Sequence, residues 1–500
     1  MNALTRLVAS VALSTIAISW ATNASAEAVL KVALSSNLNT LDPAKTKIGD
    51  EYVVNFLVYS GLTGLGPDGK VVPELAESWS STDDLKSWTF KLRSGVRFHS
   101  GRALEAEDVK ATIERIKDKA TGSVARANFG IVSGISVVDP LTIKFDLSIP
   151  YGGFAELFAD RQVRIVPRDK LDTIAAHPDG TGPFKFDSFR PGQDVKLVKN
   201  PDYYTSGEPK LDGIELRIMP EAAARVSAVS TGEVDLVWDI PPEGTQQLAA
   251  DPNVTIDTVA TSSWDGLIMN NALAPFDNVK VRQAMDAVVD RKAMVEFALF
   301  GNGTPTLTMI PPGHPFYNTE IPFPAPDVEK AKQLLSEAGF PDGFSTTLYV
   351  PSGRPPKERL GVAAREMLAT IGIKVDIQTV PWDKFISDIE GKAAFYVDGF
   401  YSRPAVDPSI YPWFHSAGSW NSTLWNYKNP EIDALLDKAR AAATDEERAK
   451  LYKAFQVLAM SNPPSIIPYV VNHANAVRKN VKGFKSSPMM WLDLRQTTID

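Results

Sequence analysis

The spacing of apolar and polar positions changes repeatedly along the chain, and each change predicts an element. Residues 29–34 (VLKVAL) read as a first strand, followed by a polar turn, and 52–60 (YVVNFLVYS) as a helix. Trp88, Phe90 and Leu92 alternate on one face of a predicted hairpin, and a helix follows from about Ala106. FKFDSF, VKLVKN and LDGIELRIM read as strands, and AARVSAVSTGEVDLVW as helix, glycine turn and strand. In mid-chain, Leu267, Ile268 and Met269 form a short apolar run. A helix capped by Asp277 or Asn278 comes next, with Val281, Ala284, Met285, Val288 and Val289 on one stripe. DVEKAKQLLSEAGF is amphipathic and stops at Gly339. FSTTLYV, ERLGVAAREMLATIG, IKVDIQTV and WDKFISDIEG then alternate strand, helix, strand, helix. That is a βαβ unit, which predicts a separate parallel sheet for the second half. NPEIDALLDKARAAATDEERAKLYKAFQVLAM predicts a helical hairpin whose second arm starts on a capping box at Thr444, and SIIPYVVNHANAVRKNVKGF returns as a pair of strands. The fold class is α/β.

Length changes that picture, because 500 residues exceed what one core usually supports; two or more domains are expected. A composition of 44% apolar and 22% charged residues is that of a globular protein. The net charge of −8, with no basic block, argues against nucleic acid as a partner. The first 26 residues have the three parts of an export signal. Arg6 precedes the apolar stretch 7–21 (LVASVALSTIAISWA), and Ala24-Ser25-Ala26 forms an A-x-A cleavage site before Glu27. Fifteen residues with four hydroxyls are too short to span a bilayer. There is no cysteine, which excludes disulfides, thiolate metal sites, cysteine nucleophiles and a lipidated N-terminal cysteine. The chain has no G-x-S-x-G, H-E-x-x-H, Walker or G-x-G-x-x-G motif, and its five histidines are scattered. His99, in RFHSG, reads as structural. No catalytic residue, metal or cofactor is expected.

Several stretches together point further. MNNALAPFDNVKVRQAMDAVVDR, PELAESW, WTFKLRSGVRFHSGR, EDVKATIERI and GTGPFKF occur in an order and spacing that closely resemble the bacterial extracytoplasmic solute-binding proteins of family 5. The resemblance covers residues 29–495. It implies a two-lobed periplasmic binding protein fold of the cluster C type, with an extra subdomain in lobe I. On that pattern residues 1–26 are the signal peptide, 27–270 lobe I with an insertion over about 60–180, 271–474 lobe II, and 475–500 the return to lobe I. The crossings between lobes are expected at 266–280 and roughly 470–480. The implied role is the periplasmic subunit of an ABC importer, a monomer that captures a peptide-like or opine-like solute and delivers it to membrane permease subunits.

Such a receptor needs a gap lined by aromatic faces and a few polar anchors. Trp264 and Asp265 before the crossing, Trp382 at a strand end and Trp420 in HSAGSWN are candidates, although any one tryptophan is as readily explained by core packing. The resemblance adds Asn37, in the loop after the first strand, and Arg126. The most informative departure is at 399–408, GFYSRPAVDP. Peptide receptors of the family usually read G-W-x-x-D-Y-x-D-P here, and the first aspartate holds the peptide ammonium. In this chain Arg403 stands at or beside that place, near Tyr401, with Asp407 retained after one extra residue. A guanidinium grips carboxylate or phosphate and cannot hold an ammonium, so an anionic group on the solute is expected. The solute itself stays open among peptide, opine, saccharide and metal chelate. A secreted hydrolase and a receptor-coupled or chaperone binding protein are the rival readings.

Overall fold

Two strands of unusual length carry the architecture. Val254–Met269 has 16 residues and Ile466–Arg478 has 13, against the five or six typical of globular proteins. They pair antiparallel along most of their length. At one end, 254–260 face 472–478, and Leu236–Val237 lies alongside; at the other, 264–267 face 466–470, and Phe395–Phe400 lies alongside. The register slips between these ends, where residues 261–263 bulge opposite Val471 and the Thr261 hydroxyl donates to the Val471 carbonyl at 2.7 Å. This irregularity stands upstream of the 266–280 segment expected to hold the crossing. The structure, a computed structural model, describes residues 27–66, 69–401, 403 and 405–500. The export signal expected over 1–26 therefore lies outside the described residues.

The long pair joins everything else into one sheet. Its order is Lys374–Val380, Ser345–Pro351, Phe395–Phe400, Val254–Met269, Ile466–Arg478, Leu236–Val237, Val29–Leu34, Gly213–Ile218, Asp194–Lys199 and Phe184–Arg190, with Gly303–Pro305 also on Ile466–Arg478. The βαβ unit forms as predicted, with Ser345–Pro351 and Lys374–Val380 parallel around helix Pro355–Ala369. The expectation of a separate sheet for the second half is corrected: the ladder is continuous, because the long strands reach neighbours in both halves. Burial follows the two ends. Leu267 and Met269 pack with the helices Val279–Ala287, Arg291–Leu299 and Pro355–Ala369, whereas Leu30, Val32, Leu216 and Leu236 belong to a different core with helix Gly49–Val58.

A smaller antiparallel sheet stands apart, in the order Ala76–Ser81, Ser87–Leu92, Thr142–Leu147, Val132–Asp139. Trp88, Phe90 and Leu92 are buried as the alternation predicts, and Phe90 meets Phe145 edge-on at 5.8 Å and Phe158 at 5.0 Å. The GTGPF turn, residues 180–184, fixes the surrounding loops. A Cβ on Gly180 would sit 1.9 Å from the Val58 carbonyl oxygen, so only glycine lets the turn press on the end of helix Gly49–Val58. Burial holds the His99 imidazole neutral, down to about 4, and its Nε2 lies 3.0 Å from the Gly182 carbonyl. His99 is structural.

WDKFISDIEG differs from its predicted helix. Only Trp382–Lys384 is a helical turn, and Phe385–Ile389 continues as a wider π turn. Phe385 is its one buried residue, and a single anchor cannot support a longer amphipathic helix.

Candidate functional site

Where the long strands change neighbours, the ends of other strands converge. Leu236–Val237 runs out to Asp239, which holds a left-handed backbone at φ 53°, a costly conformation for a residue with a side chain. Asn475 Oδ1 accepts from its backbone N–H at 3.1 Å, and its carboxylate lies 3.1 Å from His473 Nδ1. From the other half, Phe395–Phe400 runs out to Tyr401. That side chain is 54% exposed, yet its hydroxyl is pushed up to about 12. Poor hydration is the main cause; Asp239 and Asp265 add to it, while Arg354 and Arg161 oppose it. A phenol that is open to solvent but feels charges from both halves stands in a gap between them.

The aromatic wall on the Tyr401 side is continuous. Trp382 is 40% exposed, stacks on Phe385 and carries the Arg354 guanidinium 4.5 Å above its ring. Trp420, 37% exposed, lies against Phe400 at 5.6 Å and Trp413 at 5.7 Å. Arg403 sits over Phe400 at 5.1 Å with its side chain 17% exposed. Its nearest carboxylate among the described residues is the buried Asp160, at 3.8 Å. That is an ion pair too long for a hydrogen bond. Arg161, whose guanidinium lies 4.4 Å from the Tyr52 ring, is close enough to Arg403 for the Arg403 charge to disfavour its own. Burial lowers the Arg161 guanidinium first, and Arg403 lowers it further. Arg403 thus pairs across the gap with Asp160, within electrostatic reach of Arg161. A cavity of about 760 Å³ opens beside Arg403, with walls from residues 259–262 at the start of the bulge, from 309–314 and from the tail (483–496).

Beneath the Tyr401 wall lies an acidic group. Asp265 is ion-paired with Lys357, and both are largely buried. Asp398, buried on the adjacent strand, neighbours Glu390. Burial and Asp398 together raise Glu390 to about 7, and burial raises Asp398 as well.

Of the candidates only Arg403 lines the cavity; Tyr401, Trp382 and Trp420 stand exposed on the same half, with Asp265 near enough to act on Tyr401. The other candidates are corrected. Trp264 is 2% exposed and packed edge-on against Trp413 at 5.0 Å, so it is core. Asp407 is buried and already held at 2.9 and 3.0 Å by Arg440 Nε, with Tyr151 and Tyr452 hydroxyls at 2.9 and 3.4 Å. A carboxylate so engaged has no capacity left for a solute. Asn37 is exposed and accepts from the Gly192 N–H of a surface turn. Arg126 is exposed and donates to the Lys117 carbonyl. Neither lines the cavity. Sequence reasoning missed Asp239, Arg354, Asp160 and Arg161. The last two had a signal: they interrupt the apolar run FAELFADRQVRIV, and charges kept inside such a run are rarely idle. Among the described residues, no group of three or more His, Asp or Glu side chains gathers as a metal site.

Two lobes on one antiparallel strand pair, facing each other across a charged gap with aromatic walls, define the architecture of a periplasmic binding protein. The chain belongs to the bacterial extracellular solute-binding proteins, family 5, whose middle region matches residues 70–422. It is 31% identical over 471 residues to the glutathione-binding protein GsiB of Escherichia coli (strain K12), a match covering 91% of this chain and 92% of that one. Among solved structures it resembles AgaA of A. tumefaciens R10 in complex with agropinic acid, with a TM-score of 0.80 and 31% identity over 94% of this chain and 99% of that one. DppA of Helicobacter pylori with the peptide STSA gives a TM-score of 0.79 and 27% identity, covering 94% of this chain and 98% of that one. The chain is an extracytoplasmic solute-binding subunit of the ABC-importer kind. No helix among the described residues is long and apolar enough to cross a membrane.

Proposed function

We propose that the chain, freed of residues 1–26 at Ala26, works as a periplasmic monomer that closes on a peptide-sized solute bearing an anionic group. It then presents the closed form to inner-membrane permease subunits. The lobes meet at the bulge 261–263 and at 470–472, which serve as the hinge. Binding stabilises the closed arrangement without any covalent step, and the chain is not an enzyme.

The observation that carries this reading is the ion pair of Arg403 with Asp160 at 3.8 Å across the lobes, with the buried Arg161 guanidinium near enough to feel the Arg403 charge. An anion placed there draws the lobes together and relieves the repulsion between the two cations. Asp239, across the gap, offers the opposite sign and suits the ammonium of a zwitterion. The cavity volume lies within the range of ligand pockets, ~300–1,000 Å³. The solutes named for the relatives, glutathione, agropinic acid and the peptide STSA, support the same class. Mass spectrometry of the solute that co-purifies with periplasmic protein tests the reading. An anionic or zwitterionic molecule of peptide size is expected, and a neutral saccharide would overturn it.

A further inference from the structure

The cavity beside Arg403 has far more room and apolar wall than an anion can use. Phe56 and Trp491 stack at 3.7 Å on one side, and Val72, Met309, Ile310 and Met489 supply further apolar wall. Its charged groups are mostly committed elsewhere. Glu74 is ion-paired with Arg164 at 3.4 Å, and Arg164 lies 4.3 Å from the Phe56 ring. Asp493 holds Arg495 at 2.5 Å. His314 accepts from the Phe316 N–H at 3.0 Å, and burial keeps it neutral. Lys485 is exposed to solvent. Arg403 is the cation at the junction between this arm and the charged gap.

We propose that the arm takes the hydrocarbon or aromatic part of an amphipathic carboxylate, whose carboxylate lies on Arg403 and whose apolar chain runs over Phe56 and Trp491. The solute class is then an N-acylated amino acid, rather than a compact sugar acid or a metal chelate. This rests on the anion-binding reading above and adds the chemistry of the other end. Apolar chains leave water for such a wall with a gain of roughly fourfold in affinity per buried methylene.

The test is calorimetric titration of the mature full-length protein with N-acetyl-, N-butanoyl-, N-hexanoyl- and N-octanoylglycine, and with N-octanoylglycine amide, which lacks the carboxylate. Affinity is expected to climb about two- to fourfold per methylene, with the amide far weaker than the acid. Val72→Glu and Met489→Glu, at wall positions that keep some exposure, are expected to flatten the series while the variants stay folded by circular dichroism. Equal affinity along the series, or binding by none of its members, overturns the apolar arm. If the co-purifying solute still loses affinity in Arg403→Ala, the anion site survives that failure. If the amide binds as tightly as the acid and Arg403→Ala changes nothing, the anion reading fails and the proposal fails with it.

Discussion

Arg403 and Asp407 lie four positions apart in the same segment and meet opposite fates. Arg403 turns to the gap with a single long ion pair, whereas Asp407 is enclosed by Arg440, Tyr151 and Tyr452. Arg440→Met should therefore cost stability rather than binding chemistry, because it leaves a buried carboxylate unpaired. A loss of about 3–5 kcal/mol is expected, checked by urea unfolding at neutral pH. Glu390 supplies a pH dependence. Its folded-state value, about 7, lies above the ordinary 4.5, so the native state holds this proton more tightly than the unfolded chain. The contribution is greatest below about 4.5, falls as pH rises to about 7, and is level above. Asp398, Asp265, Lys357 and the Tyr396 hydroxyl are the polar groups around it. Glu390→Gln should flatten that decline and raise the melting temperature at pH 8 relative to wild type, and parallel melting curves across pH would contradict it. At this scale the sequence revealed Arg403 because it breaks a family pattern. It could not reveal Arg161 as its neighbour, since some 240 residues separate them and only the approach of the lobes joins them.

Among the elements, legibility followed the length of the apolar period. Helix Val279–Ala287 starts at Asn278, whose side chain accepts from the Lys280 N–H, and buries Val281, Ala284 and Met285 as its stripe requires. The second arm of the helical hairpin starts where its capping box places it, at Thr444. The strand Val254–Met269 was half hidden, because residues 255–260 pair through the backbone without a clear apolar period and the polar 261–263 bulge. Trp382 was readable as an element start but not as the head of so short a helix. The GTGPF turn was visible as a motif, while its reason is a close backbone approach that no periodicity encodes. Gly180→Ala drives a methyl into the Val58 carbonyl, and neither side is a flexible side chain that could yield. A destabilisation of about 3 kcal/mol or more is expected, read as a lower denaturation midpoint. A neutral result would mean that the turn and the helix end can separate.

Two features do most to draw the whole molecule together. One is the long strand pair with its bulge. The other is a latch between the small antiparallel subdomain and the helical hairpin, where Tyr151 donates to Asp407, Gly152 N–H donates to the Arg440 carbonyl at 2.7 Å, and Glu156 pairs with Arg448. A solute that closes the gap should shorten the molecule, so small-angle scattering is expected to show a smaller radius of gyration at saturating solute. Tyr151→Phe should lose about 1 kcal/mol of closure, seen as a several-fold weaker affinity. An unchanged scattering profile would contradict closure. The central claim is that an anionic group of the solute is held on Arg403 inside that closed gap. Its most direct test is calorimetry with the co-purifying solute on wild type, Arg403→Ala and Arg403→Lys. Removing one partner of a desolvated charge pair costs about 2–5 kcal/mol, so Arg403→Ala should bind roughly 30- to 5,000-fold more weakly. Arg403→Lys should recover only part, because an ammonium lacks the planar two-point grip. Binding by Arg403→Ala within about twofold of wild type, a difference under roughly 0.5 kcal/mol, would contradict the claim.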